Sequence, residues 1–90
     1  MSQIIIEQPS AEKLESLGVS TWSIWEKEVS SFPWTYDTAE VCYVLEGDVI
    51  VTPDGGKSVC FGKGDLVTLP AGMSCFWEIL SAVKKHYVFA

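Results

Sequence analysis

From Thr21 onward the chain is cut at short intervals by turn chemistry: Ser31-Phe32-Pro33, Glu46-Gly47-Asp48, Pro53-Asp54-Gly55-Gly56, Gly62-Lys63-Gly64-Asp65 and Pro70-Ala71-Gly72. Gly reaches backbone angles that side chains forbid and Pro fixes its own, so clusters like these interrupt helices and strands alike. The segments between them are rich in β-branched and aromatic residues, which fit a pleated surface. They predict strands at Thr21 to Val29, Trp34 to Tyr36, Glu40 to Leu45, Val49 to Thr52, Lys57 to Phe61, Leu66 to Leu69, Ser74 to Leu80 and Val83 to Phe89. Short strands at this spacing make an all-β sandwich or barrel.

The N-terminal stretch reads differently. Ile4-Ile5-Ile6 predicts one more short strand, and Ala11 to Leu17 predicts the single helix. Ser10 is placed to cap its free amides, Glu12 suits its positive end, and Gly18 supplies a left-handed exit. Ninety residues, eleven of them aromatic, suffice for one hydrophobic core, and no linker or repeat divides them. The expectation is one domain spanning 1–90.

Charge narrows the range of partners. Twelve acidic residues face six basic ones, so a nucleic acid would meet net repulsion. All six basic residues are Lys, which removes the planar fork that grips phosphate and carboxylate. No apolar run reaches the ~18 residues of a membrane span. Cys42, Cys60 and Cys75 are an odd set without a close pair, and no hydrophobic signal segment precedes Ile4, so a reducing cytoplasm is expected.

Two stretches carry a family resemblance. Glu40-Val41-Cys42-Tyr43-Val44-Leu45-Glu46-Gly47, followed by Asp48-Val49, resembles the first cupin signature, a strand running from a Glu into a Gly turn. Gly64-Asp65-Leu66-Val67-Thr68-Leu69-Pro70-Ala71-Gly72 resembles the second, a Gly-Asp turn, a strand and Pro-x-Gly. With Trp25 to Val29, Trp34, Tyr36-Asp37, Trp77 and Lys85-His86-Tyr87 around them, the chain resembles the small cupins grouped with (S)-ureidoglycine aminohydrolase. The resemblance implies a jelly-roll β-barrel with one short N-terminal helix, often as a homodimer.

It also implies where a site would be. Metal-binding cupins carry a His-x-His pair, a Glu and a third His; the matching places hold Trp34, Tyr36, Glu40 and Cys75, so only the Glu survives. The aminohydrolase is expected to use a carboxylate, two His and a Gln, and none of those types stands at its matching place here. Trp cannot ligate, neutral Tyr is a poor ligand, and one thiolate suits soft metals. Glu40, Tyr36 and Cys75 with His86 would make only an irregular zinc set. No resident metal and no cofactor are expected.

Strand alternation points Glu40, Cys42 and Val44 one way, and the cupin frame makes that way inward, with Cys75 and Trp77 facing them and Trp34 and Tyr36 near. The expected cavity has aromatic walls and one carboxylate. Glu40 is read there as a ligand anchor or acid–base group, against a hydrogen-bonded barrel carboxylate. Cys75 lacks an activating neighbour in sequence and reads as a small core residue rather than as a nucleophile paired with His86; Cys42 and Cys60 read as packing residues too. Trp22 and Trp25 are assigned to the core, Trp34 and Trp77 to core or pocket alike. Lys84-Lys85 is read as a solvated strand edge.

Three functions compete: binding of a small neutral or cationic organic molecule by Trp34, Tyr36, Glu40, Cys42, Cys75 and Trp77; metal-assisted hydrolysis or isomerisation of a small nitrogenous or sugar-like substrate; and an inert barrel acting as a homodimeric interaction module through exposed aromatics and the Ile-rich first strand.

Overall fold

The computed structural model of the chain describes residues 3–90. Seven strands form along it: β1 (Ile5–Glu7), β2 (Ser23–Lys27), β3 (Ser30–Thr35), β4 (Glu40–Pro53), β5 (Val59–Gly62), β6 (Leu66–Leu69) and β7 (Ser74–Phe89). One helix, α1 (Ala11–Leu17), and a single 3-10 turn at Val19–Thr21 separate β1 from β2. The helix ends follow their local chemistry. Ser10 Oγ accepts from Lys13 N at 3.2 Å, and Gly18 leaves the helix at φ 70°.

Two long strands organise everything else. Residues 40–44 of β4 pair antiparallel with the end of β7, Lys85 to Phe89, whereas residues 48–53 pair with its beginning, Cys75 to Ser81. The first half of β4 and the second half of β7 join β1, β6 and β2 in the order β1-β6-β4-β7-β2; the second half of β4 carries β5, and the first half of β7 carries β3. The two layers face each other across a core that includes Cys42, Val44, Val49, Val51, Phe61, Val67, Leu69, Ile79 and Val83. This is a β-barrel of jelly-roll type.

Sequence reading split β4 at the turn chemistry of Glu46-Gly47-Asp48, and split β7 between Leu80 and Val83. In the structure these are bends within continuous strands. The register of β4 slips around Glu46 and Asp48, and its buried positions switch from Glu40, Cys42 and Val44 to Val49 and Val51. An inserted residue does this: it turns the strand's other face inward without ending the pairing. Gly47, at φ 105°, is what the bend requires. A Cβ there would lie 2.6 Å from the Ala82 carbonyl oxygen and 2.7 Å from Val83 Cα.

Three smaller expectations also change. The strand drawn from Thr21 to Val29 is only Ser23–Lys27, since the 3-10 turn takes Thr21 and the chain reverses at Glu28-Val29. Ser31-Phe32-Pro33, read as a turn, lie within β3, with Pro33 on a strand that pairs only with β7 and so keeps one side free of partners. Cys60, read as packing, is exposed.

Candidate functional site

Between the layers lies a cavity of about 290 Å³, lined by Trp25, Phe32, Trp34, Tyr36, Glu40, Trp77, Lys85, Tyr87 and Phe89. Trp34 and Phe89, both more than half exposed, form its outer wall. Alternation along the two long strands places the inner groups. Glu40 begins the inward row of β4, and Lys85 follows Val83 on the inward row of β7, in register with Val44 on one side and Trp25 on the other.

Glu40 and Lys85 meet in the floor. Lys85 Nζ donates to Glu40 Oε2 at 2.7 Å, with both side chains less than a tenth exposed. Two indoles also lie against the same ammonium, its nitrogen standing 5.0 Å from the Trp25 ring centroid and 4.8 Å from that of Trp77. A carboxylate and two π faces together hold the charge that burial would otherwise expel. The reading of Lys85 as a solvated edge is therefore corrected. Lys84 fits that description better, since it is only half-buried and stands in register with Glu26 and Glu46; Lys85 points the other way, because neighbouring strand residues take opposite faces.

Trp77 is the centre of the aromatic wall. It stacks on Phe32 at 6.2 Å between centroids and 6° between planes, and takes the edges of Trp25 and Phe61 at 6.3 and 5.7 Å. Its Nε1 donates to the Tyr36 hydroxyl at 3.1 Å. The Pro-x-Gly turn then fixes Tyr36 from behind, Gly72 N donating to the Tyr36 carbonyl at 2.6 Å and Tyr36 N to the Met73 carbonyl at 2.9 Å. Burial, reinforced by the Glu40 carboxylate, raises the Tyr36 phenol far above its ordinary range, so it is a neutral hydroxyl at any physiological pH.

Of the six residues expected to line a pocket, Trp34, Tyr36, Glu40 and Trp77 line this cavity. Cys42 and Cys75 do not. Both are buried, and Cys75 Sγ donates to the Trp34 carbonyl at 3.6 Å. Burial pushes the Cys42 thiol up to about 11, against the pull of Lys85, and raises the Cys75 thiol as well, so neither supplies a thiolate. Sequence reasoning missed Lys85, Phe32, Tyr87 and Phe89 and left Trp25 to the core. The signal for Lys85 was there in the alternation Val83, Lys85, Tyr87.

The irregular zinc set does not assemble. His86 sits on the opposite face of β7 from Lys85, its Nδ1 donating to the Trp22 carbonyl at 3.1 Å, while Tyr36 and Cys75 are engaged as described. Among the described residues no three of His, Cys, Asp and Glu stand close enough to share a metal. The one carboxylate at a cupin ligand position holds an ammonium instead, so the donors present do not fit a cupin metal.

Across residues 14–87 the chain matches the model of the EutQ-like cupin domain. It belongs to the EutQ-like cupin family. A DUF861 family protein from Thermotoga maritima is similar to this cupin domain over 98% of this chain and 100% of its own, with 53% identity and a TM-score of 0.96. The EutQ protein of Clostridium difficile matches with a TM-score of 0.67 and 26% identity over 73% of this chain and 52% of its own. The Escherichia coli protein named acetate kinase EutQ is 36% identical over 64 residues, which are 71% of this chain and 26% of that protein. This cupin domain thus spans about a quarter of the E. coli relative's length and half of the C. difficile one. Among its described residues no helix is long and apolar enough to cross a membrane.

Proposed function

We propose that this cupin domain binds a small neutral organic molecule in the cavity between its layers, using Glu40 and Tyr36 as polar contacts and Phe32, Trp34 and Trp77 as walls. The observation that carries this reading is a buried ion pair at the floor of an open, aromatic-lined space. Apolar cavities with a few convergent polar groups are where proteins hold small molecules. At about 290 Å³ the space equals about ten waters, the size of a compact ring or short chain.

The polar groups suit a ligand with both a donor and an acceptor. Tyr36 accepts from Trp77 and keeps its own O–H to donate, and Glu40 bonds Lys85 through Oε2, leaving Oε1 to accept. A cationic ligand loses its advantage, because the aromatic faces and the carboxylate that would attract it already hold an ammonium. Metal-assisted hydrolysis or isomerisation has no donor set behind it. The narrower resemblance to the aminohydrolase group adds no residue of that enzyme's machinery, and the kinase activity in the name of the E. coli relative belongs to a protein of which three quarters lies outside the match.

Ligand-observed NMR against a library of neutral metabolites tests the reading. Hits whose signals recover when Tyr36 is changed to Phe support it; a library without hits, or hits indifferent to both Tyr36→Phe and Trp34→Ala, overturns it.

A further inference from the structure

Glu40, Trp25 and Trp77 together make a receptor for a primary ammonium ion. One carboxylate oxygen accepts a hydrogen bond from the ammonium at 2.7 Å, and two indole rings lie with their centroids 5.0 and 4.8 Å from the nitrogen. Each of these contacts favours a cation, and burial strengthens all three. What fills this receptor comes from the protein itself, through an alkyl chain rooted on β7. We propose that Lys85 is the residue that sets the specificity of the cavity: by filling an ammonium subsite from within, it closes the cavity to amines and metal cations, and shortening it uncovers a binding site for a primary alkylammonium ion.

The inference deepens the reading of the cavity as a receptor for neutral molecules, yet it is tested by a different ligand on a different protein. A divalent cation approaching Glu40 would have to displace an ammonium held by three groups. The Lys85 side chain itself lines the cavity beside Glu40. Its geometry defines the complementary ligand. Changing Lys85 to Ala removes Cγ, Cδ, Cε and Nζ, and n-propylammonium carries those three carbons and that nitrogen in the same order.

The experiment is a titration of the full chain and its Lys85→Ala variant with n-propylammonium chloride, followed by tryptophan emission and by thermal melting, with n-propanol as the uncharged control of equal shape. The variant is expected to bind the ammonium on the order of a hundredfold more tightly than the alcohol, and to melt higher with it. The unaltered chain is expected to respond to neither, and the double variant Lys85→Ala, Glu40→Gln to lose the preference. If Lys85→Ala does not fold alone, its refolding yield in the ammonium is expected to exceed that in the alcohol. Equal responses to amine and alcohol, a response of the unaltered chain equal to the variant's, or equal refolding yields overturn the proposal. A neutral metabolite failing to bind the unaltered chain would sink the functional reading and leave this one standing.

Discussion

Glu40 and Lys85 show how far a residue's meaning depends on what faces it. With both charges buried, removing one partner strands the other, which costs about 3 to 5 kcal/mol, whereas replacing both with apolar groups is often nearly neutral. Urea denaturation should therefore find Glu40→Leu and Lys85→Met each strongly destabilised and the double variant closer to the unaltered chain than either. Additive losses would mean that the pair is not coupled. The thiols separate by burial in the same way. Ellman's reagent should titrate Cys60 quickly in the folded protein and reach Cys42 and Cys75 only on unfolding. Cys42 also gives stability a pH dependence. Its folded value of about 11 exceeds its unfolded value near 9.0, so between these pH values the unfolded chain has released a proton that the folded one keeps. Stability falls as pH rises through that window, by up to about 1.4 kcal/mol per pH unit from this group, and Cys42→Ala should flatten the decline. Tyr36, shifted in the same direction, adds to the fall at its upper end.

Elements were legible in the sequence where the chemistry of their ends is unambiguous. Ser10 and Gly18 bound the helix where they were expected to, the turn read at Gly62-Lys63-Gly64-Asp65 links β5 to β6 with its Gly62 closing β5, and the four residues of β6 are as read. The long strands were not legible, because a glycine that ends a strand and one that bends it look alike in sequence. Only the partner strand decides, and here it is Ala82 and Val83 pressing against Gly47. Gly47→Ala combines an unfavourable φ with a clash against backbone that cannot step aside, and is expected to cost about 3 kcal/mol or more in chemical denaturation. A loss under about 1 kcal/mol, the ordinary penalty for a left-handed alanine, would show that β7 gives way. The site was half legible for a related reason. Trp34, Tyr36, Glu40 and Trp77 follow from alternation within the cupin frame, whereas Lys85 sits in a basic doublet whose two members face opposite ways. Composition assigned both to solvent; pairing with Val44 and Trp25 assigns one of them to the interior.

For the whole molecule, the path of β4 and β7 through both layers means that neither layer can come apart without breaking strands that also build the other. Unfolding should be a single transition, with tryptophan emission, which reports the cavity, and far-ultraviolet circular dichroism, which reports the strands, falling together. Two separated midpoints would show that the layers are independent. Trp77 and Lys85 lie on one strand but in opposite layers, one face of the ammonium's enclosure and the ammonium itself being delivered by a single length of chain. Under the proposed reading, recognition is consequently all-or-none: a chain in which β7 has crossed only half of its course holds a lysine with nothing around it and a tryptophan with nothing to enclose, so a molecule bound in the cavity would register completion of the fold.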